Sequence, residues 1–574
     1  MNGPLNRTSF QLGRELQTRL EDRLIDWERA GKTTKLWNKD ARLWTNSGEE
    51  NWLGWLTLVE EQLEDLRPVQ DAATLVCGSS FDQVVLLGMG GSSLCPDLWA
   101  STFPQQSNFP KLRVLDSIVP AQVVELESEL QLEKTLFIVS SKSGNTIEAR
   151  ALMEYFFDRV QATAGPRNAG RQFIAITDPG TPLEEVARQR DFRRVYYGKP
   201  DVGGRFSALS SFGLVPAALM GLDIRRLLTM AQPMVHACRR ERATENPGVV
   251  LGAIMAEAAL SGRDKLTLVI SPAIARLGAW LEQLIAESTG KDGKAIIPVD
   301  AEPLGDPDAY GTDRLFVYVR LASSPDPLQD RGIERLAAAG HPIVRIDVSE
   351  PLAITQEFFR WEVATSVAGA ILGINPFDQP HVQLSKDETQ RLLQYYQNQT
   401  HLPDYPPAVI ENELKVFLHP SDRDFAEAAS PHSMVGLLRA HLQRLKPGDY
   451  FALLAFLPSE ASCDRLLQEI RRSIRDHYAV ATTCGYGPRY LHSTGQAHKG
   501  GPNTGVFLLV TAEDAVDRNV PGCGCTFGTI KMAQALGDFQ VLGNLGRRIV
   551  RVHLPAALQP GLERLVELVT QALS

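Results

Sequence analysis

Short apolar runs alternate with helical patterns over much of the chain. Between residues 81 and 220 the runs are QVVLLG, LRVLD, KTLFIVS, QFIAIT and RRVYY. The stretches between them carry apolar residues at helical spacing, and a further helix is expected over 208–220. This alternation is typical of a parallel sheet with helices on both faces.

The same pattern returns in the next part of the chain. Strands are expected at KLTLVIS, AIIPVD, RLFVYVRL and PIVRIDV, with helices over 248–261, 276–288, 328–339 and 352–373. A Pro-rich stretch over 401–410 indicates a linker. Beyond it, DYFALLAFL, HYAVATTCGYG, GVFLLVT and RIVRVHL predict a further α/β domain.

These patterns divide the chain into four regions. Residues 1–70 are charged and helix-like and form a helical cap, 71–230 and 231–400 form two α/β subdomains, and 401–574 form a smaller C-terminal α/β domain. A chain of 574 residues is longer than a single hydrophobic core usually supports. We therefore expect several packed units.

Charge and composition exclude some classes of protein. The net charge is −9, and lysine and arginine are scattered, which argues against a nucleic-acid partner. No apolar run approaches the roughly 20 residues that span a bilayer, and the first residues lack a secretory apolar region. The seven cysteines have no zinc or redox spacing. We expect a cytoplasmic protein with reduced thiols and no membrane partner.

The segment FIVSSKSGNTIEARALMEYFF contains a candidate anion site. An apolar strand leads through small polar residues into an amphipathic helix, so hydroxyls, free amides and a helix dipole converge. A phosphate monoester fits this combination. An ordinary Ser/Thr-rich helix start is the alternative. The candidate ligands are Ser141, Lys142, Ser143 and Thr146.

A second glycine loop, VVLLGMGGSSLCPDLW, has the same strand–loop–helix layout. With Asp116 downstream it also fits a dinucleotide site, but Ser93 replaces the third glycine of that motif. Two hydroxyl-bearing loops on neighbouring strands fit one sugar phosphate better. The candidates here are Gly91, Ser92 and Ser93.

Charged residues at three further positions suggest catalysis. Arg205 follows Gly203 and Gly204 before a helix, where it could stabilise an oxyanion or form a surface salt bridge. Glu287 falls on the apolar stripe of its helix, one turn after Gln283, which suits a general base with a raised pKa unless the carboxylate turns to solvent. Lys386 alone would be a solvated lysine.

Taken together, five segments in order resemble glucose-6-phosphate isomerase, and the resemblance covers about residues 80–400. They are GMGGSSLCP, SSKSGNTIE, VGGRFSALSSFG, AESTGK and NPFDQPHVQLSK. The resemblance implies an α/β fold with two flavodoxin-like subdomains of the sugar-isomerase (SIS) type. Segments over 36–45, 485–505 and 527–543 resemble the isomerase half of fused transaldolase/glucose-6-phosphate isomerase proteins. No transaldolase-length segment precedes them, so we expect isomerase activity alone.

The resemblance implies a role for each candidate. Glu287 would move a proton between C2 and C1, Arg205 would stabilise the enediolate, and Lys386 would lie near the ring oxygen. Gln283 and Gln379 would contact a hexose 6-phosphate. Aldose–ketose isomerisation requires no metal and no redox cofactor. The resemblance leaves open whether the protein forms a homodimer.

The sequence departs from the family at the ring-opening histidine. The family has a histidine after a Gly-Thr-Asn-Gly-Gln sequence about thirty residues beyond the base, whereas YGTDRLFVYVRL stands here. The substitutes are His381, His492 and His498, of which His498 is preferred because its loop is Gly-rich and polar. The phosphate loop, SKSGNT, is closer to the general SIS form.

Other functions remain open at this point. The enzyme could also accept mannose 6-phosphate, because a planar enediol can be reprotonated from either face. A noncatalytic SIS-type sugar-phosphate regulator would use the hydroxyl loops but would have no use for a buried base. An NAD-dependent oxidoreductase is the least favoured interpretation.

Overall fold

The computed structural model describes residues 4–422 and 433–574. The N-terminal segment was expected to be helical throughout, but it begins with a strand, β1 (Arg7–Gln11), which extends the sheet of the second subdomain. The sequence RTSFQ has no apolar run, and it is the pairing with a distant strand that makes it extended. The helices that follow are α1 (Arg14–Arg29), α2 (Lys32–Trp37), α3 (Leu58–Glu64) and α4 (Arg67–Val76).

The first subdomain is a parallel five-stranded sheet, as the alternating pattern predicts. Its strands are β2 (Gln83–Gly88), β3 (Lys111–Leu115), β4 (Thr135–Ser140), β5 (Phe173–Thr177) and β6 (Arg194–Tyr197). Their order is β3-β2-β4-β5-β6, so the direction of winding reverses between β2 and β4. Ligands of open α/β sheets bind at such a reversal, beyond the carboxyl ends of the strands.

Helices cover both faces of this sheet. They are α5 (Leu94–Thr102), α6 (Pro120–Ser128), α7 (Ile147–Ala164), α8 (Pro182–Gln189) and α9 (Ser211–Leu219). The next helix, α10 (Ile224–Cys238), crosses the expected boundary between residues 230 and 231. Because its apolar face is buried in a core shared with the second subdomain, no exposed linker separates the two units.

The second subdomain repeats the strand order of the first. Its strands are β7 (Lys265–Ile270), β8 (Ile297–Val299), β9 (Arg314–Leu321) and β10 (Ile343–Val348), in the order β8-β7-β9-β10. These strands are parallel, and β1 closes the edge beside β10 in the antiparallel direction. The helices are α11 (Pro247–Leu260), α12 (Leu277–Thr289), α13 (Pro327–Ala338), α14 (Ile354–Leu372) and α15 (Val382–Gln399).

The C-terminal domain is a six-stranded mixed sheet. The strands after the expected linker are β11 (Val409–Glu411), β12 (Leu414–Leu418), β13 (Tyr450–Phe456), β14 (Ala481–Tyr486), β15 (Gly505–Ala512), β16 (Asn519–Val520), β17 (Cys525–Thr526) and β18 (Arg548–Leu554). The order is β11-β12-β18-β15-β13-β14, and β16 and β17 form a separate hairpin. The described helices are α16 (Met434–Leu442), α17 (Ala461–Tyr478), α18 (Gly495–Gly500), α19 (Phe527–Asn544) and α20 (Leu558–Leu573).

One hydrophobic core joins the N-terminal helices to both subdomains. Its largest fully buried side chains are those of Trp27, Trp55, Trp99, Trp280 and Trp361. The C-terminal sheet has its own core on one face and packs against α12 and β8 on the other. Across residues 4–422 and 433–574, no helix combines the length and apolarity needed to cross a bilayer.

Candidate active site

The predicted phosphate loop lies at the carboxyl end of β4, at the reversal of the first sheet. Gly144 has a φ of 69°, a left-handed conformation that folds the loop back before α7. The Ser141 and Thr146 hydroxyls lie 3.0 Å apart. The Thr146 side chain does not cap the helix, so the first amides of α7 face the loop without that acceptor. These donors form a cradle for an anion.

The remaining predicted ligands of this loop differ in their surroundings. Ser143 is exposed, whereas the Lys142 ammonium pairs with Asp178 and donates to the carbonyl of Lys199 at 2.9 Å. The lysine is therefore anchored beside the loop by an ion pair with Asp178.

The glycine loop after β2 packs tightly against the rest of the site. A Cβ on Gly90 would come within 2.8 Å of the Gln283 amide, and one on Gly91 within 2.1 Å of the Gly204 carbonyl. Ser92 and the phosphate loop are joined by a bond from the Ser140 hydroxyl to the Ser92 carbonyl, 3.1 Å. The missing side chains at Gly90 and Gly91 therefore let this loop pack against α12 and against the segment that contains Gly204.

The same loop argues against a dinucleotide. Ser93 is fully buried and donates to the carbonyl of Gly90 at 3.2 Å. Asp116, the candidate ribose ligand, accepts a hydrogen bond from Arg489 at 2.7 Å and lies 3.4 Å from Ser93. Its carboxylate is thus committed within the protein rather than presented to a ribose.

Arg205 and Glu287 meet in the interior, although they come from different subdomains. The Arg205 Nη1 atom lies 3.4 Å from Glu287 Oε2, and the two residues are 4% and 7% exposed. Arg205 also donates to the Ser288 hydroxyl at 2.8 Å and to the carbonyls of Pro376 and Asp378. These bonds fix the guanidinium plane beside the carboxylate.

Burial raises the pKa of the Glu287 carboxyl above its ordinary value. Arg205, His492 and Lys291 oppose this effect, because each nearby cation favours the ionised form. Gln283, one turn earlier on α12, lies 3.4 Å from the same carboxylate oxygen. Glu287 lies on the buried side of α12, as the apolar periodicity of the helix predicts.

The segment before α15 supplies the next group of residues. Gln379 accepts a hydrogen bond from Arg205 at 2.8 Å, although its side chain is otherwise exposed. Lys386 lies on the exposed face of α15, near enough to His492 to influence its pKa. Lys291, which was not among the sequence candidates, donates to both the carbonyl and the carboxylate of Asp378 at 2.6 Å. Burial lowers the pKa of Lys291 to about 8.

The structure does not bring His498 to this cluster. His498 is 3% exposed and lies among the rings of Tyr450, Tyr490 and Phe507, in the hydrophobic cluster where the C-terminal sheet packs against α12 and β8. Burial lowers its pKa to about 3, so the ring is neutral near pH 7. Its Gly-rich surroundings form a packed helix, α18, rather than an open loop.

His492 lies at the site instead. Its carbonyl accepts a hydrogen bond from Gln283 at 2.8 Å, and its Nε2 atom lies 2.9 Å from Glu148 Oε1. Burial alone would lower the pKa of His492, but the Glu148 carboxylate raises it above the ordinary value. The third histidine, His381, lies 3.0 Å from the Gln496 amide, and its pKa is lowered by burial.

Two polar residues that support His492 were not found from the sequence. Glu148 is fully buried in the first turn of α7, and Gln534 of α19 donates to the same carboxylate oxygen at 2.7 Å. An acid in the first turn usually complements the helix dipole, so the sequence offered no reason to single it out. The bond between helices of different domains is visible only in the fold.

The two parallel sheets and their shared strand order define the class of α/β proteins with two SIS-type subdomains. In fold, the chain is similar to a hypothetical protein from Thermus thermophilus, with a TM-score of 0.57 and 24% identity, covering 67% of this chain and 99% of the other. In sequence, residues 56–298 match the family model described as phosphoglucose isomerase.

The alignments with individual relatives cover more of the chain than the family model does. A probable glucose-6-phosphate isomerase of Methanococcus maripaludis is 27% identical over 376 residues, covering 58% of this chain and 82% of the relative. A glucose-6-phosphate isomerase of Rubrobacter xylanophilus is 28% identical over 372 residues, covering 56% and 85%.

Proposed function

We propose that this protein interconverts glucose 6-phosphate and fructose 6-phosphate through a cis-enediolate. The observation that carries the proposal is the buried pair of Glu287 and Arg205, placed beside two hydroxyl loops at the reversal of the first sheet. The match of residues 56–298 to the phosphoglucose isomerase model, and the likeness to a glucose-6-phosphate isomerase of Rubrobacter xylanophilus, support the same reaction. An aldose and its ketose differ only in the position of two hydrogens, so one base and one oxyanion stabiliser suffice.

Glu287 is proposed as the base that carries the proton between C2 and C1. Its raised pKa makes the carboxylate a stronger base than a solvated one, while Arg205 keeps it available in the ionised form. As the proton leaves C2, negative charge develops on the enediolate oxygens. The Ser288 hydroxyl and the carbonyls of Pro376 and Asp378 hold the Arg205 guanidinium in place, so its positive charge is already positioned beside the carboxylate before the negative charge develops.

The phosphate group is proposed to bind Ser141, Ser143, Thr146 and the first amides of α7, with Lys142 behind them. Gly91 and Ser92 then line the sugar, with the Ser93 side chain buried behind them, and Gln283 and Gln379 contact the sugar hydroxyls. Binding the phosphate at one end restricts the position of C1 and C2 at the other, which is how remote binding energy promotes the chemical step.

Ring opening is assigned to His492 rather than to His498. A cyclic hexose opens when an acid protonates the ring oxygen as a base removes the proton of the anomeric hydroxyl. His492 has a raised pKa and lies near both Glu287 and Lys386. Glu148 fixes the orientation of the imidazole, and Lys386 is proposed to lie near the ring oxygen.

The buried base separates this proposal from a noncatalytic regulator. A sensor of sugar phosphates needs the two loops, but a desolvated carboxylate beside an arginine would only destabilise it. Mannose 6-phosphate as a second substrate, a homodimer, and the likeness of the C-terminal motifs to fused transaldolase/glucose-6-phosphate isomerase proteins stay predictions.

A coupled assay tests the proposal directly. Purified protein receives fructose 6-phosphate, and glucose 6-phosphate is detected through NADPH formation by glucose-6-phosphate dehydrogenase. The expected result is turnover that inorganic phosphate inhibits competitively and that the Glu287→Gln variant lacks. Binding of fructose 6-phosphate by calorimetry without turnover would favour the regulator instead.

A further inference from the structure

Two cysteines outside the active site face each other in the hairpin that precedes α19. The sequence Cys523-Gly524-Cys525 joins β16 to β17, and the two Sγ atoms lie 2.7 Å apart. Gly524, between them, has a φ of 69°, a left-handed conformation that glycine adopts readily in tight turns. A covalent S–S bond needs about 2.05 Å, so closure requires only a small movement.

The two thiols differ in exposure. Cys523 is half-buried between two exposed glycines, Gly522 and Gly524, whereas Cys525 is buried against α7. The contact with Cys525 lowers the pKa of the Cys523 thiol, and Arg150 of α7 lowers it further. A thiolate that is accessible and electrostatically favoured is the usual attacking group in disulfide exchange.

The hairpin touches both helices that hold Glu148. Cys525, Val520 and Phe527 pack in one hydrophobic cluster with Tyr155 of α7. The turn leads directly into α19, whose Gln534 donates to Glu148 of α7, the residue that orients His492. A covalent change in the turn therefore acts on the junction of α7 and α19.

We propose that Cys523 and Cys525 form a reversible dithiol/disulfide site that exchanges with small disulfides such as glutathione disulfide. The Cys523 thiolate attacks one sulfur of the oxidant, forms a mixed disulfide and releases one thiolate. Cys525 then loses its proton and attacks the Cys523 sulfur, which closes the intramolecular bond and releases the second thiol. The protein loses two electrons and two protons, and the oxidant is reduced to two thiols.

A regulatory consequence rests on the proposed isomerase function. A disulfide between Cys523 and Cys525 constrains the start of α19 and thereby the position of Gln534. We expect the oxidised protein to turn over fructose 6-phosphate at least about twofold more slowly, the lower end of effects carried between coupled sites. Thiol reductants should restore the rate.

The chemistry is tested independently of activity. Trypsin cleaves after Arg518 and Lys531, so both cysteines lie in one peptide, residues 519–531. Protein carrying Cys77→Ser, which removes an exposed thiol, is equilibrated with glutathione buffers of increasing oxidised fraction and then alkylated with iodoacetamide. The expected peptide is two hydrogen atoms lighter and unalkylated, and a phosphine reductant reverses the change.

Single substitutions supply the controls. Cys525→Ser should accumulate glutathione on Cys523, whereas Cys523→Ser should react far more slowly because Cys525 is buried. Neither should show a redox-dependent rate. Two alkylatable thiols in the most oxidising buffer, or glutathione on both without ring closure, would overturn the site. An unchanged rate in the closed form would overturn only the coupling, and absence of isomerase activity would leave the peptide result intact.

Discussion

The two α/β subdomains share one strand order, yet the loops after their equivalent strands differ in the residues they present. In the first, the loops after β2 and β4 present glycines and hydroxyls at the sheet reversal. In the second, the equivalent positions after β7 and β9 contain Pro272 and the Ala322–Pro325 segment, which carries two serines but no glycine. Topology alone therefore does not make a phosphate site, and the loop residues decide.

The difference is clearest at the first turns of two equivalent helices, α7 after β4 and α13 after β9. Each of these strands is the third of its subdomain along the chain. At α7, Thr146 makes no side-chain cap, and the first amides face the loop. At α13, the Asp326 carboxylate accepts hydrogen bonds from the amides of Leu328 and Gln329, at 2.7 and 3.2 Å. A carboxylate already occupies the place where an anion would bind, and its charge repels a phosphate.

The second subdomain carries the proposed catalytic base rather than a phosphate loop. Its helix α12 follows the first strand of the sheet, as α5 does in the first subdomain, but it carries Glu287 on its buried side. In the proposed mechanism, one copy of the fold therefore binds the phosphate, and the other supplies the proton carrier. The predictions below test this division of roles.

The largest effect is expected for Glu287→Gln. The amide cannot accept the C2 proton, so kcat should fall by roughly 10³- to 10⁴-fold, within the range for loss of a general base. KM should change little, because the phosphate is held by the first subdomain. Steady-state kinetics with fructose 6-phosphate measure both constants.

The neighbouring acid on the same helix is the matched control. Burial raises the pKa of Glu282 to about 8, so this residue is mostly neutral near pH 7 and Glu282→Gln replaces a neutral group by a neutral amide. Its kcat should stay close to that of the wild type. Equal losses in both variants would indicate damage to α12 rather than removal of a base.

Local patterns predicted most of the fold. Every apolar run assigned as a strand became one, because buried parallel strands need continuous apolar residues that are visible in the sequence. The strands β1, β11, β12, β16 and β17 were missed, since short strands such as RTSFQ carry no apolar run and become extended only through their pairing. The predicted boundary at residues 230 and 231 falls inside α10. This helix is buried against both subdomains, and the local sequence does not reveal such shared burial.

The candidate site was predictable to a different degree for different residues. Periodicity predicted the buried position of Glu287, because the helical stripe is a local property. The choice between His492 and His498 was not local: six residues apart, one side chain lies beside Glu148 and the other among aromatic rings. Only the packing of the C-terminal domain against α7 and α12 distinguishes them.

A second prediction tests that distinction. His492→Asn should lower kcat for fructose 6-phosphate by about 10²-fold, the lower range for loss of an acid–base group. Erythrose 4-phosphate should be affected far less, because its 4-hydroxyl is esterified and no stable ring needs to open. Turnover of both substrates is measured side by side.

His498→Phe is the control for the histidine prediction. Phenylalanine keeps the aromatic packing with Tyr450 and Phe507, so the ratio of rates for the two substrates should match that of the wild type. A changed ratio in this variant, with none in His492→Asn, would return the ring-opening role to His498.

A third prediction compares equivalent loops of the two subdomains. Ser143→Ala and Thr146→Ala should each raise KM for fructose 6-phosphate about tenfold, as expected when one hydrogen bond to a charged group is lost. Ser323→Ala and Ser324→Ala, in the loop after β9, should leave KM unchanged. Competition by inorganic phosphate should weaken in the first pair alone. A KM effect in the second pair would contradict the division of roles.

The smallest effect concerns pH. Because the pKa of Glu287 is raised by burial, the base becomes protonated as pH falls through a value above the ordinary 4.5, and kcat/KM is lost below that point. Lys291 is charged below about pH 8 and favours the ionised carboxylate. Lys291→Met should therefore move the acid limb of the profile to higher pH.

Lys294→Met is the control. The Lys294 ammonium is exposed and donates a hydrogen bond to the Leu372 carbonyl, so its removal should leave the acid limb in place. Coincident profiles for all three proteins would show that the acid limb belongs to another group.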